Sequence, residues 1–99
     1  MVYLELSAEI LPTKLHEFNQ SKLSFINGLH TIKGYSGFTE KRSLDLNMQI
    51  AWQNKESLES FLSTEHYRFF RGAIITLSCN YKINKVTNDL NLKKFEEMN

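Results

Sequence analysis

One run of the chain limits its folding more than any other: MQIAWQNKESLESFLSTEHYRFFRGAIITL, residues 48–77. Met48, Ile50 and Trp52 alternate with Gln49, Ala51 and Gln53, the period of a half-buried strand. Asn54 follows, with a side-chain oxygen suited to the free amides of a helix start. Glu56 then stands where an acidic group favours the first turn. A break is expected at Ser63 and Thr64. Thr64 is placed to cap a second helical piece with His66, Phe70, Ala73, Ile74 and Leu77 on one face. The only Trp thus ends a strand, and a His opens a helix shortly after it.

The rest of the chain reads as scaffold around that run. Val2, Leu4, Leu6 and Ala8 alternate with Tyr3, Glu5, Ser7 and Glu9, which predicts a first strand ended by Pro12. Thr13 is the candidate cap of a helix carrying Leu15, Phe18, Phe25, Ile26 and Leu29, with the Lys22 stem along the same stripe. Gly28 weakens its last turns by about 1 kcal/mol relative to Ala. Residues 35–43 read as a second strand, and Gly37 inside it points to a bulge or a close backbone approach. Residues 44–47 form the turn of a hairpin to the strand at 48–52. Residues 80–86 make a last strand, with Tyr81 and Ile83 on one side and Lys82 and Asn84 on the other. Thr87, Asn88 and Asp89 read as a turn. The segment 90–99 is a tail whose Leu90, Leu92 and Phe95 suit a short helix or an added strand better than a disordered end.

The order strand, helix, strand, strand, helix, strand specifies an α+β fold. It is the ferredoxin-like split βαββαβ sandwich, a four-stranded antiparallel sheet with both helices on one face. The open face is expected to carry Tyr, Phe or Met and to need a cover, for which a second copy of the chain is the simplest candidate. One domain, residues 1–89, is predicted, with 90–99 as a tail able to touch a dimer partner. At 99 residues the chain is small enough for a partner subunit to add usefully to its stability.

Charge narrows the partners. Twelve basic and eleven acidic side chains are scattered rather than blocked, giving no footprint for nucleic acid or a membrane surface. No apolar run approaches the ~20 residues of a membrane span. The start MVYLELSAEI alternates like a strand and lacks the basic flank of a signal peptide. The single Cys79 cannot pair within the chain, which suits a reducing compartment and predicts a cytoplasmic protein. Seven Phe, four Tyr and one Trp are too many to leave in water, so most belong to a core or an interface.

The run AWQNKESLESFLSTEHYRFF also resembles the signature of the antibiotic biosynthesis monooxygenase domains. There a strand ends in Trp, and after a short turn a helix reads roughly Leu-x-x-His-Leu-x-(Ser/Thr)-x-His-(aromatic). Trp52, Leu58, Leu62, Thr64 and His66 stand in the matching places, and Gly34 matches the usual Gly before the second strand. The resemblance covers about residues 1–86. It implies a homodimer whose protomers pair into a dimeric α/β barrel. For the best-known members it implies oxygenation of quinols or polycyclic aromatic ketones by dioxygen, with no metal, flavin or haem cofactor. The substrate then supplies the electrons, and the protein binds an aromatic ring, removes water from it and stabilises an anion.

The chain departs from that pattern at Phe61, which replaces the first His of the motif. The haem-degrading relatives need a His about where Arg71 stands and an Asn where Ser7 stands, so haem is disfavoured. Trp52, Phe61 and Phe70 are the candidate walls of a pocket for a small aromatic substrate, and Trp52 is equally an ordinary core residue. His66 is the candidate general base or donor; the alternative is a first-turn His that packs and satisfies a backbone group. Arg71, and less so Arg68, are candidates to stabilise an anionic oxygen or are simply solvated charges. Phe61, Phe69 and Phe70 are expected in the core, and His16 and His30 on the surface. Glu5 is either a buried acid or the partner of Lys41 or Arg42. Three widely spaced His and no Cys pair make no metal motif. Two functions stay open: a cofactor-independent monooxygenase, favoured by His66 beside Trp52, and a non-catalytic dimeric ligand-binding or stress-signalling module, favoured by Phe61.

Overall fold

The computed structural model describes residues 1–41, 45–89 and 92–97, with only the backbone of 87–89 and 92–97. Strand β1 (Val2–Ile10) leads through a 3-10 turn at Pro12–Lys14 into helix α1 (Leu15–Leu29). Strands β2 (Tyr35–Glu40) and β3 (Leu46–Trp52) follow, then helices α2 (Lys55–Leu62) and α3 (Glu65–Leu77). Strand β4 (Ser78–Asp89) and a further strand β5 (Leu92–Glu97) complete the chain. The sheet runs β2-β3-β1-β4-β5, every neighbouring pair antiparallel. This is the expected ferredoxin-like α+β sandwich with one strand added at its edge.

The strand pattern explains the layering. Leu4, Leu6, Ile50, Trp52 and Ile83 alternate inward and are almost fully buried with Phe18, Phe25, Leu29, Phe61, Phe70 and Ile74 of the helices. Their burial is the main driving force for closing the helix layer onto the sheet. Both caps predicted for the second helical region form. The Asn54 carboxamide oxygen accepts from the Ser57 amide at 2.8 Å, and the Thr64 hydroxyl accepts from the Tyr67 amide at 3.2 Å. The Thr64 hydroxyl also donates to the Phe61 carbonyl at 2.7 Å. One side chain therefore closes α2 and opens α3. Gly37, at φ +138°, sits where the β2–β3 register slips, as expected of a bulge.

Several expectations need correction. Thr13 caps nothing: it lies inside the Pro12–Lys14 turn, and α1 begins without a side-chain cap. Strand β2 ends at Glu40, and its expected continuation to residue 43 falls partly outside the described residues. Leu46 and Asn47 belong to β3 rather than to the hairpin turn, because Leu46 is buried opposite Ala8. Residues 87–89 do not turn. They continue β4, pairing with β1 at Thr87 and with β5 as far as Asp89. The tail, of which Leu90 lies outside the described residues, is a strand along 92–97.

The open face is not the apolar surface expected. Register puts Met48 and Phe38 on the helix side, with Ile50 and Trp52. On the other side, Thr39, Gln49, Glu5 and Asn84 form one cross-strand row, and Asn47, Ser7 and Lys82 form the next. Only the row of Gly37, Ala51, Tyr3 and Val86 is apolar. Among the described residues Glu5 pairs with a carboxamide rather than with Lys41. It accepts from the Gln49 carboxamide at 3.1 Å, and Arg42 lies outside the described residues.

Candidate functional site

The break between α2 and α3 lays aromatic side chains from four elements against one another. Trp52 ends β3 with no exposure, and its indole lies 4.4 Å from the Phe61 ring of α2, centroid to centroid. Phe61 also meets Tyr67 of α3 at 5.3 Å and Phe25 of α1 at 6.0 Å. Phe25 in turn stacks on Phe70 at 4.1 Å and on His66 at 5.1 Å. Such offset and tilted pairs are favourable beyond the area they bury.

Two donors in this cluster have no acceptor. The Trp52 Nε1–H and the Tyr67 O–H are both shut off from solvent, and neither finds an acceptor among the described residues; the Arg71 guanidinium beside Tyr67 can only donate to the phenol oxygen. Leaving a buried donor unpaired costs about 1–3 kcal/mol, so such atoms need an explanation. Burial pushes the Tyr67 phenol above its ordinary value of 10.0, and the Arg71 guanidinium, one helical turn along, pulls it partly back. The phenol is therefore a neutral donor through the whole range in which enzymes ordinarily work. Arg71 is half-buried beside it.

His66 sits elsewhere. Its Nε2–H donates to the Phe25 carbonyl oxygen at 2.7 Å, across the α1–α3 crossing. A carbonyl has no proton to give, so the proton of this bond is on the imidazole. Gly28 makes room for the ring: a Cβ at that position would collide with His66 Cε1. The weak point of α1 in the sequence is thus a contact the crossing requires. His66 and Phe70, with Phe25, line a groove of about 370 Å³ between α1 and α3. His66 meets Trp52 only through Phe25 and Phe61, so the pair adjacent in the sequence argument is not adjacent in space.

The remaining candidates separate similarly. Phe61 and Phe70 are buried, but Phe69 is 80 % exposed, against expectation. The buried stripe of α3 is Tyr67, Phe70, Ile74 and Leu77, which points Phe69 away from it. His16, His30 and Arg68 are exposed. Among the described residues no three His, Cys, Asp or Glu side chains gather as a metal site, and no helix is long and apolar enough to cross a membrane. Tyr67 was missed in the sequence, where it fills the aromatic place after His66 in the motif. A Tyr with Phe70, Arg71 and Ile74 at helical spacing was the available signal.

The arrangement of sheet and helices has close counterparts among solved structures. A putative antibiotic biosynthesis monooxygenase from Nitrosomonas europaea superposes with a TM-score of 0.78 at 14 % identity, covering 91 % of this chain and 100 % of that one. The chain shares the fold of that protein. A second putative antibiotic biosynthesis monooxygenase, from Deinococcus radiodurans, matches with a TM-score of 0.77 at 12 % identity, over 93 % and 96 % of the two chains. A conserved protein from Methanosarcina mazei Go1 superposes with a TM-score of 0.75 at 18 % identity, over 85 % and 88 % of the two chains. No protein-family model matches the sequence, and no curated protein does.

Proposed function

We propose that the protein is a cofactor-independent monooxygenase acting on a quinol or hydroxylated aromatic compound. The observation that carries this reading is the pair of buried, unpartnered donors, Trp52 Nε1–H and the Tyr67 hydroxyl, within one aromatic cluster. A phenolate oxygen would satisfy both, and the Arg71 guanidinium beside Tyr67 would add a positive charge for it. Phe61 and Phe70 would flank the ring. Binding the anion lowers the substrate's own pKa, so its proton leaves to solvent and the electron-rich ring carbon becomes able to reduce dioxygen. For an activated ring methylene the balance closes as methylene plus dioxygen to ketone plus water, with all electrons drawn from the substrate. No metal, flavin or haem enters this scheme. Because both donors are closed off from water, a substrate reaches them only as the side chains of α2 and α3 part. The shared fold supports this reading of the site without fixing the substrate.

Dioxygen uptake by chelator-treated protein with hydroquinones and anthrone-like phenols tests it. Tyr67→Phe removes one donor and is expected to lower kcat by about 10²-fold, as loss of an oxyanion donor does elsewhere. Full turnover in that variant would sink the assignment. The second reading, a module that binds the same phenolate without turnover, is favoured by Phe61 in the place of the motif's first His. Under it, ligand would bind wild type more tightly than Tyr67→Phe while oxygen stayed unconsumed.

A homodimer closed over the open sheet face belongs to the same proposal, as does a cytoplasmic location suited to the exposed Cys79 thiol. The polar rows mean that such an interface would be held by hydrogen bonds across a partly wet surface. A monomeric sedimentation coefficient at working concentration would remove the dimer, and recovery of the protein outside the cytoplasm on cell fractionation would remove the location.

A further inference from the structure

The scheme above does not use His66, and of the groove beside it uses only Phe70. That groove lies between α1 and α3 on the side of the helices away from the sheet. Its lining includes Ser21, Ser24, Phe25, His66, Phe69 and Phe70. Phe25 and Phe70 are 2 % exposed and form its floor, whereas Phe69 stands 80 % in water at its wall. A groove of about 370 Å³ with aromatic walls and a few polar groups has the size and chemistry of a small-molecule site.

His66 supplies the directional element. Its Nε2–H is committed to the Phe25 carbonyl. In the neutral ring the remaining lone pair is therefore on Nδ1, which has no partner among the described residues. The ring cannot turn freely, because it lies 13° from the plane of Phe25 and is fitted over Gly28. A fixed acceptor is thus set beside three Phe rings, with the Ser21 and Ser24 hydroxyls on the α1 side.

We infer that this groove is a second binding site, for a planar aromatic molecule bearing a hydroxyl donor. The hydroxyl donates to His66 Nδ1, and the ring lies against Phe69 over the floor of Phe25 and Phe70. The site is separate from Trp52 and Tyr67 and does not depend on the oxygenase reading. A ligand here covers the one large aromatic side chain that the helix layer leaves in water.

Titration with 1-naphthol, followed by NMR, tests this directly. The His66 ring resonances should shift saturably in wild type and in Trp52→Phe. Naphthalene, which lacks the hydroxyl, should bind about tenfold more weakly, as loss of one hydrogen bond to a partly buried acceptor predicts. Phe69→Ala should weaken 1-naphthol about tenfold as well, and the exposure of Phe69 makes that variant safe for folding. His66 resonances that do not move, or that titrate identically in Phe69→Ala, would overturn the proposal. So would naphthalene binding as tightly as 1-naphthol. The single Trp52 indole N–H resonance reports on the inner cluster in the same spectra, so failure at the groove is distinguishable from failure of the oxygenase site.

Discussion

The two faces of the sheet use the same strands for opposite ends. Leu4 and Glu5 are neighbours in β1, and Ile50 and Gln49 are neighbours in β3. Leu4 and Ile50 have no exposure and lie in the core cluster, whereas Glu5 and Gln49 meet over the open face in a hydrogen bond of 3.1 Å. Alternation separates a face that holds the molecule together from one whose side chains carry little of its stability. Polar atoms are plentiful on the open face, where the buried Asn84 Oδ1 is unpaired, and the helix side holds the two buried donors of Trp52 and Tyr67. A site can therefore be concealed in the layer that looks most like plain core.

The sharpest break of the comparison is Ile50→Ala against Gln49→Ala. Ile50→Ala removes a fully buried side chain and should cost about 2–5 kcal/mol in denaturant unfolding. An intermediate effect is expected of Gly28→Ala, which tests how tightly the helix layer is fitted. Its new methyl meets the His66 ring, and overpacking should cost about 1–3 kcal/mol, more than the ~1 kcal/mol gained in helix propensity. With His66→Ala in the background the sign should reverse, since the methyl then has room; equal costs in both backgrounds would mean that the contact is not what keeps residue 28 a glycine. Gln49→Ala should change stability by no more than about 0.5 kcal/mol in the monomer. A larger loss would show that the open face is covered and structural after all.

Much of this organisation was legible in the sequence. Period-two alternation identified β1, β3 and β4, and the Asn54 and Thr64 caps divided the second helical region correctly. Those signals are local, so no tertiary knowledge was needed. The polar open face was also written there, in Glu5, Ser7, Gln49 and Asn84; of the Tyr, Phe or Met expected on it the face keeps Tyr3 but not Phe38 or Met48, which pair with Ile50 and Leu6 on the helix side. The site was less legible. His66 is satisfied by a carbonyl 41 residues away in α1. Tyr67 resembles any other buried aromatic until its hydroxyl is seen to have no acceptor. The buried stripe of α3 passes through Tyr67 rather than His66, a rotation of one residue that also turned Phe69 outward. Spacing fixes the width of an apolar stripe better than its centre.

The last strand has a further consequence. Because β5 pairs with β4 from Asn84 to Asp89, the second half of β4 is interior and its outer edge there is covered. A chain ending at residue 89 would turn β4 into an edge and bare a row of unpaired amides and carbonyls. Such an edge is a template for another chain, and the expected symptom is self-association by strand addition rather than loss of the core. In this light the tail is a guard for the sheet, and its contribution is to keep the molecule soluble in company with itself.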